Sequence, residues 1–228
     1  MSVTFFCMTN KEIYILGAGG QARQVESILS VIDPKAKISA FLDKIYSDTP
    51  RYVHNIPILS ESFLDSLNCG NVLILNGLGR PNRRKPIDKL ISKGFSFLQL
   101  IHPGAFIGKY VTIGEGTIIQ SGVQFMTDIS VGRFSLVDLS ATIGHDVTIG
   151  DYTTVSTGVN IAGGAAIGHG TWVGSGSVII ENVKIGDNSV IGAGSVVTRD
   201  VASNRLAFGV PAKEVREIRD ASDALMRH

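Results

Sequence analysis

The sequence predicts a two-part fold, an α/β domain with a parallel sheet followed by a parallel β-helix. The first observation is a strict repeat, in which an aliphatic or aromatic residue returns at every sixth position from Ile107 to Val197. Neither an α-helix, with a period of about 3.6 residues, nor an ordinary strand, with a period of about 2, produces this spacing. The second observation is an alternation of strand-like and helix-like segments before the repeat. We therefore expect domains at residues 1–101 and 102–204, then a C-terminal loop and short helix at 205–228.

The α/β half can be assigned element by element from its apolar patterns. Strands are predicted at 12–16, 37–42, 71–75 and 95–101, and helices at 21–31, 60–67 and 82–93. About 90 residues of this kind correspond to one mononucleotide-binding half of a Rossmann fold. A charged helix is predicted after the repeat, at 213–226.

Each hexad of the repeat predicts one short strand and one turn. A small or β-branched residue stands two positions before each repeated apolar residue, and glycine often follows it directly, as Gly144 follows Ile143. We expect these glycines where a tight corner needs unusual backbone angles. A single coil cannot bury its apolar row, so the coils must stack. The long sheet edges and flat faces of such a stack favour oligomerisation.

Composition excludes several classes of protein. Lys and Arg number 21 and Asp and Glu number 20, a net charge of +1 that favours neither nucleic acid nor an anionic membrane as a partner. Two cysteines, Cys7 and Cys69, form no disulfide framework and suit a cytoplasmic protein. Residues 1–10 lack the pattern of a signal peptide, and no apolar run approaches the roughly 20 residues of a membrane span.

His145 is the candidate general base. It stands two residues after the apolar Ile143, at a corner of the repeat where a side chain points outward, and Asp146 follows directly. The carboxylate can orient the imidazole and strengthen it as a base. Residues 18 apart lie above one another, so the neighbours of His145 in its column are Thr127 and Gly163, which supply no charge that would explain it.

The other two histidines near the repeat have structural interpretations. His169 belongs to a column with Glu115, Arg133, Asp151 and Asp187, whose largely alternating charges predict pairing between stacked strands. His102, beside Pro103, is expected to shape the junction between the domains. Zinc would need several convergent imidazoles, and this spacing does not provide them, so no metal is expected. Neither cysteine lies in the repeat, so no acyl-enzyme is expected.

The order of these parts resembles one family. A small Rossmann-like domain, an unbroken hexapeptide repeat carrying Gly144-His145-Asp146, and a Gly209-Val210-Pro211-Ala212-Lys213 segment are similar to the PglD/NeuD-like bacterial sugar acetyltransferases. The resemblance covers residues 11–213. It implies a left-handed β-helix, a homotrimer with active sites between subunits, and acetyl transfer from acetyl-CoA to a nucleotide-linked sugar, with His145 as the base.

The resemblance also implies an acetyl-CoA groove in the later coils. Gly163, Ser175 and Ala193 match positions that contact acetyl-CoA in the family. Lys213 has two interpretations, a contact with the adenosine phosphates or a solvated lysine. Many relatives have a second histidine nine residues after the base, where this chain has Thr154. A hydroxyl can still donate a hydrogen bond there but cannot carry charge.

The glycine-rich turn after the first strand predicts a phosphate site. Gly17, Gly19 and Ala22 fit a G-x-G-x-x-A pattern that opens a helix, where backbone N–H groups hold phosphate. The candidate nucleotide-sugar residues are Gly17, Gly19, Gly20, Gln21, Asp43, Lys44 and Gly77. One mononucleotide-binding half favours a nucleotide sugar over NAD.

Two of these candidates depart from the family pattern. Relatives have a histidine at the position of Gln21 and a second carboxylate at the position of Lys44, so uridine as the nucleoside is not implied. Arg83 and Arg84 could approach phosphate, but a solvated helix face is the favoured interpretation of both.

The leading hypothesis is therefore N-acetylation of a 4-amino-4,6-dideoxy sugar on a nucleoside diphosphate, for cell-surface polysaccharide synthesis. The alternatives are O-acetylation of a sialic-acid-like sugar, a zinc carbonic anhydrase on the same β-helix, and a non-catalytic trimer that binds nucleotide sugar.

Overall fold

The computed structural model describes residues 11–44 and 51–225, so the signal-peptide expectation for residues 1–10 lies outside the described residues. The described residues form two compact units, 11–44 and 51–79 with 83–100, and 80–82 with 101–225. Within the described ranges, no helix has both the length and the apolar character to cross a membrane.

The first unit contains a six-stranded sheet, and the Rossmann-like parallel sheet is confirmed. Its strands are β1 (Glu12–Leu16), β2 (Ile38–Asp43), β3 (Arg51–Val53), β4 (Ile56–Ser60), β5 (Val72–Asn76) and β6 (Ser96–Leu98). Its helices are α1 (Gly20–Ile32) and α2 (Arg84–Ser92), with 3₁₀ turns at Glu61–Ser66, Cys69–Asn71 and Pro81–Arg83. The strand order is β3-β4-β2-β1-β5-β6, and only the β3–β4 pair is antiparallel. The central strands are buried from Ile13 to Leu16 in β1 and from Val72 to Asn76 in β5, because both faces of such a sheet are covered.

Strands β3 and β4 were missing from the sequence prediction. They form a hairpin whose turn, His54 and Asn55, has positive φ angles of 48° and 66°. Both strands are only partly buried and β4 contains Pro57, so neither shows a continuous apolar run or a clean alternation. The helix predicted at 60–67 is a 3₁₀ turn, Glu61–Ser66, which begins directly after β4.

The second unit is a parallel β-helix with three faces, and the left-handed hexapeptide fold is confirmed. Face I contains β7 (Leu100–Ile101), β10 (Ile118–Ile119), β13 (Leu136–Val137), β16 (Thr154–Val155), β19 (Trp172–Val173) and β22 (Val190–Ile191). Face II contains β8 (Phe106–Ile107), β11 (Gln124–Phe125), β14 (Thr142–Ile143), β17 (Asn160–Ile161), β20 (Val178–Ile179) and β23 (Val196–Val197). Face III contains β9 (Thr112–Ile113), β12 (Ser130–Val131), β15 (Thr148–Ile149), β18 (Ala166–Ile167) and β21 (Lys184–Ile185).

The repeated apolar residues fill the interior of the β-helix. They form one continuous cluster of buried side chains, from Phe125 and Val137 through Ile161 to Val197. Strands pair in register with strands 18 residues away, as Ile143 does with Ile161. The hexad period therefore places one side chain of every strand in a common core, as the sequence predicted.

A ladder of buried hydroxyl groups runs along the corner between faces III and I. It consists of Thr117, Ser135, Thr153, Thr171 and Ser189. Thr153 illustrates the pattern, because its Oγ1 donates to the carbonyl oxygen of Gly168 at 2.7 Å while its N–H donates to Ser135 Oγ at 3.2 Å. The ladder satisfies backbone groups inside each corner, which would otherwise be buried without partners.

The glycines that follow the repeated apolar residues were predicted to adopt unusual backbone angles, and this explanation was wrong. Positive φ occurs two positions later in each hexad, at residues such as Tyr110 and Asp146, whereas Gly144 and Gly150 are not among the positive-φ residues. A Cβ at Gly144 would lie 2.7 Å from the backbone nitrogen of Gly163, and one at Gly150 would lie 2.6 Å from that of His169. These glycines are therefore required by the close approach of the next coil.

The predicted C-terminal helix at 213–226 is also wrong over most of its length. Strands β24 (Arg205–Gly209) and β25 (Ala212–Glu217) form an antiparallel hairpin, and β24 pairs with β22 to extend face I. Only α3 (Ala221–Leu225) is helical. Ile218 and Ala221 pack with Val190 on the outer side of face I. Pairing of β25 with β24 overrides the helical propensity of the exposed Lys213 and Glu214.

Candidate functional site

His145 and Asp146 form a hydrogen-bonded pair at the corner between faces II and III. The Nδ1 atom of His145 lies 2.7 Å from Oδ2 of Asp146, and both side chains are about two-thirds exposed, at 66% and 67%. Asp146 has a φ of 57°, and its N–H donates to the carbonyl oxygen of Thr127 in the preceding coil at 3.1 Å. A carboxylate only accepts hydrogen bonds, so Nδ1 carries the proton and Nε2 presents its lone pair.

The imidazole ring lies directly over Gly163 of the next coil. A Cβ at Gly163 would come within 2.6 Å of His145 Nε2 and 2.7 Å of its Cε1. Gly163 also differs from its counterparts at the corner between faces III and I, where the N–H groups of Arg133, Asp151 and His169 each donate to a side chain of the following coil. Across residues 11–44 and 51–225, the N–H of Gly163 donates to no acceptor. The glycine thus supports the ring and leaves a backbone donor beside it.

His169 has a structural role in the ladder at the corner between faces III and I. Its Nδ1 accepts the N–H of Asp151 at 2.9 Å, and its own N–H donates to Asp187 Oδ1 at 2.8 Å. Arg133 and Glu115 form the expected ion pair at 3.1 Å. The charged column therefore works mainly by capping backbone N–H groups, with ion pairing as a minor part.

The expected acetyl-CoA residues are divided among three places in the chain. Gly163 lies with His145 at the corner between faces II and III, whereas Ser175 and Ala193 are exposed at the corner between faces I and II. Lys213 is exposed on β25. Thr154 is 1% exposed on face I, between Leu136 and Trp172 in register, and its contact with the acetyl group stays a prediction.

A groove of about 810 Å³ lies along face III, outside the His145 corner. It is lined by Thr148, Asp151, His169, Lys184 and Asp187 together with the segment 200–203. His145 does not line this groove. Within a single chain, this groove therefore does not include the His145 corner.

The glycine turn of the first unit lies at the carboxyl edge of the sheet. Gly17 has a φ of 100°, and a Cβ there would lie 2.9 Å from a methyl of Leu78, so packing and backbone geometry both require glycine. Gly77 is equally confined, since a Cβ would come within 2.8 Å of Ala22. Gly19 and Gly20 are different, because a Cβ at either would meet nothing within 4 Å. No packing contact explains these two glycines, and both are exposed at the start of α1.

The remaining predicted residues lie at the same edge. Gln21 is in the first turn of α1, with its Cβ 3.1 Å from where a Cβ of Gly79 would stand. Asp43 ends β2 and pairs in register with Ser60 of β4, while Lys44 is exposed. The sequence prediction for Arg83 was wrong, because this side chain is 1% exposed. Arg84 is exposed as expected and pairs with Asp88 at 3.3 Å.

Glu61 is a carboxylate at this edge that the sequence analysis missed. It follows Ser60 directly. Burial raises the pKa of its carboxyl, and the charge of Asp43 adds a smaller increase. The charges of Lys44 and Lys89 act in the opposite direction and lower the pKa. The edge thus holds a second carboxylate beside Asp43, supplied by a neighbouring strand. The signal was hidden because β4 itself was not predicted.

Metal ligands form no cluster in the part of the chain that the structure describes, where no group of three or more His, Cys, Asp or Glu side chains is arranged to hold an ion. Cys69 is a free, partly buried thiol.

Comparison with known proteins identifies relatives of this chain. The family model described as bacterial transferase hexapeptide (six repeats) matches residues 164–199. UDP-N-acetylbacillosamine N-acetyltransferase of Bacillus subtilis is 28% identical over 121 residues, which is 49% of this chain and 52% of that protein. The chain thus spans about half the length of the curated relative it matches.

Two solved structures match most of the chain. One is a histidine-to-asparagine variant of perosamine N-acetyltransferase from Caulobacter crescentus with CoA and GDP-perosamine, with a TM-score of 0.81, 28% identity, and 90% of this chain and 97% of that chain covered. The other is the acetyltransferase domain of PglB from Neisseria gonorrhoeae, with a TM-score of 0.83, 25% identity, and 90% and 100% covered.

These matches agree with the architecture, in which a Rossmann-like parallel sheet precedes an uninterrupted hexapeptide β-helix. The chain therefore resembles the PglD/NeuD-like sugar acetyltransferases in sequence and in fold.

Proposed function

We propose that this protein transfers the acetyl group of acetyl-CoA to an amino group of a nucleotide-linked sugar, with a 4-amino-4,6-dideoxy sugar as the acceptor. The observation that carries the proposal is the His145–Asp146 pair, whose 2.7 Å hydrogen bond leaves Nε2 as an exposed base at an open corner. Relatives that bind CoA and GDP-perosamine support the choice of substrates.

The proton transfer follows from the fixed tautomer of His145. The sugar amine attacks the thioester carbonyl, and Nε2 accepts the proton that the nitrogen loses as the new C–N bond forms. Asp146 accepts a hydrogen bond from Nδ1–H and so stabilises the imidazolium that results. Collapse of the tetrahedral intermediate breaks the C–S bond, and the imidazolium returns the proton to the departing CoA thiolate.

The N–H of Gly163 is our candidate for stabilising the oxyanion of that intermediate. It lies under the His145 ring and donates no hydrogen bond within the described ranges. A preorganised backbone donor of this kind contributes roughly 3 to 4 kcal/mol when it faces developing negative charge. Direct transfer is favoured because Cys69 belongs to the first unit and not to the β-helix that contains His145.

The acetyl-CoA slot is proposed to form between two chains of a homotrimer. Gly163 shares a corner with His145, but Ser175 and Ala193 lie at a different corner of the same chain. A second copy can bring its Ser175 corner beside the His145 of the first, which explains why the 810 Å³ groove of one chain omits His145. Lys213 is proposed to meet the adenosine phosphates.

The nucleotide is proposed to bind at the carboxyl edge of the first unit's sheet. Gly19 and Gly20 offer open backbone at the N-terminus of α1, where phosphate is favoured. Asp43 lies along the same edge and can accept hydrogen bonds from a ribose or base. Gly17 and Gly77 shape the turns at this edge. Gln21 and Lys44 are proposed substrate-binding residues at positions where this chain departs from the family pattern. We place the reaction in the cytoplasm, where the free thiol of Cys69 suits reducing conditions.

The test is release of free CoA thiol from acetyl-CoA with UDP-, GDP-, dTDP- and CMP-linked amino sugars. His145→Asn is expected to lower kcat at least about 100-fold, the usual scale for loss of a general base. His169→Asn is the matched control, because an asparagine oxygen can still accept the Asp151 N–H that Nδ1 accepts now.

Near-normal turnover by the His145→Asn protein would remove this residue from the mechanism. Acetylation of a hydroxyl on a sialic-acid-like sugar, with no amine product, would replace the proposed acceptor. Failure of calorimetry to detect CoA binding would favour the non-catalytic trimer.

A further inference from the structure

Asn76 has a side-chain amide that the fold uses only in part. The residue is fully buried at 0% exposure and ends β5. Its Oδ1 accepts the N–H of Leu78 at 3.2 Å. Its Nδ2 is buried and has no hydrogen-bond partner in the described part of the chain. An unpaired buried donor is unfavourable, so its retention calls for an acceptor that the free protein does not supply.

The position of Asn76 is the crevice where ligands bind in open α/β sheets. Asn76 pairs in register with Leu16, the last residue of β1. The chain moves from β1 to β2 in one direction and from β5 to β6 in the other. Right-handed crossovers then place α1 and α2 on opposite faces of the sheet, so the β1–β5 boundary is its topological switch point.

Other hydrogen-bond donors at this boundary also lack acceptors. Gln21 Nε2 is buried without a partner among the described residues. Helix α1, which has 13 residues, starts beside it with no side-chain cap at Gly19 and no acidic residue in its first turn. The N-terminal N–H groups of a helix need acceptors and favour negative charge.

The loop after β5 joins these donors. A Cβ at Gly77 would touch Ala22 of α1, and one at Gly79 would lie 3.1 Å from Gln21 Cβ. The side chain of Leu78, whose N–H holds Asn76 Oδ1, covers Gly17. Leu78 is partly exposed, and ligand access to the buried Asn76 Nδ2 requires its side chain to move.

We propose that Asn76 is a ligand-binding residue. Asn76 Nδ2 and Gln21 Nε2 donate hydrogen bonds to phosphoryl oxygens of a nucleoside diphosphate. The inference rests on the proposed binding of a nucleotide sugar to the first unit. Amide and backbone donors at one boundary suit an anion with several acceptor oxygens. The carboxylates Asp43 and Glu61 lie on the far side of β1, where they suit the hydroxyls of the nucleoside.

The experiment uses Asn76→Ser in the full chain. A serine hydroxyl can accept the N–H two residues ahead, as Ser60 Oγ already does for Ser62 at 3.3 Å, so the turn is kept while the amide donor is lost. The matched control is Asn68→Ser, because Asn68 makes the same turn with Gly70 at 2.9 Å on the surface. Calorimetry then measures the binding of inorganic pyrophosphate, UDP, GDP and dTDP, and of CoA as a test of the β-helix unit.

Asn76→Ser is expected to weaken both pyrophosphate and the preferred nucleoside diphosphate at least about tenfold, the scale for a hydrogen bond to a charged group. Asn76→Asp keeps the acceptor for Leu78 and should weaken both further by placing like charge against phosphate. CoA affinity should be unchanged in each variant. In turnover, KM for the nucleotide sugar should rise while kcat is retained.

The proposal is overturned if both Asn76 variants bind pyrophosphate like the wild type, or if the wild type binds no nucleoside diphosphate. Weakened nucleotide binding with unchanged pyrophosphate binding would also overturn it, because the partner would then lie on the nucleoside. A third outcome separates the two proposals. If the wild type binds pyrophosphate through Asn76 but releases no thiol from acetyl-CoA, the proposed acetyl transfer is refuted and the phosphate site is supported.

Discussion

The His145 ring depends on the absence of a side chain beneath it. Gly163 is not among the positive-φ residues, so alanine is tolerated by the backbone at this position. Its Cβ would nevertheless fall 2.6 Å from His145 Nε2. The imidazole is exposed and can rotate away at little cost to folding.

We therefore predict that Gly163→Ala lowers kcat by about 10- to 100-fold, because a small misplacement of the base is costly in catalysis. The midpoint of urea unfolding should stay near that of the wild type. Steady-state kinetics and urea titration measure the two effects. Unchanged kcat in a folded variant would show that the ring position over Gly163 does not matter to the reaction.

At the level of single residues, the sequence predicts site features that depend on neighbouring positions, but not those that depend on distant parts of the chain. His145 and Asp146 are adjacent, and the hexad phase alone predicts an outward corner, so the pair could be found without a structure. Asn76 looks like an ordinary strand end in the sequence, since its unpaired Nδ2 depends on everything packed around it. Glu61 likewise joins Asp43 only through the pairing of β4 with β2.

Strand β1 contains a buried tyrosine whose ionisation is linked to folding. Tyr14 is 3% exposed, and its hydroxyl donates to Glu12 Oε2 at 2.6 Å. Burial, with this hydrogen bond and the charge of Glu12, raises the pKa of Tyr14 from 10.0 to about 12. Above pH 10 the unfolded chain loses the phenolic proton while the folded strand retains it, so stability must fall as the pH rises.

For Tyr14→Phe we predict a weaker alkaline loss of stability. Between about pH 9 and about pH 11 the wild type should lose about 1 kcal/mol more than the variant, from the linkage between ionisation and folding. Urea titrations followed by far-ultraviolet circular dichroism measure this difference. Fluorescence of Trp172, in the β-helix, monitors the unit without Tyr14. Parallel losses in both proteins would show that the residue titrates normally.

At the level of elements, the repeat predicted more than the α/β half did. Each hexad repeats the same strand and corner, so errors do not accumulate along the β-helix. The glycines after the apolar residues were assigned the wrong cause, because close approach of a second coil is not visible within one hexad. Strand β25 was read as a helix, because its pairing with β24 is decided by tertiary contacts rather than by the composition of 213–226.

For the whole molecule, the division of site residues between two corners leads to a complementation test. His145→Asn disables one corner, and Ala193→Trp should block the other by filling exposed space at the proposed acetyl-CoA contact. In the proposed homotrimer, an assembly of both variants has one interface that combines two intact corners.

Each variant alone should be inactive, while mixed trimers purified through both tags should recover about one third of wild-type activity, because one of their three interfaces has both corners intact. Thiol release by doubly purified hetero-oligomers measures the recovery. No recovery in confirmed hetero-oligomers would place the whole site within one chain.

The hydroxyl ladder between faces III and I also restricts how this molecule can change in length. Each rung connects residues whose numbers differ by a complete coil, as Ser135 and Thr153 do. Losing six residues would rotate everything downstream to another face, moving Ser175 and Ala193 away from their edge. Losing eighteen would leave every rung aligned. Natural insertions and deletions in the β-helix should therefore come in multiples of one complete coil.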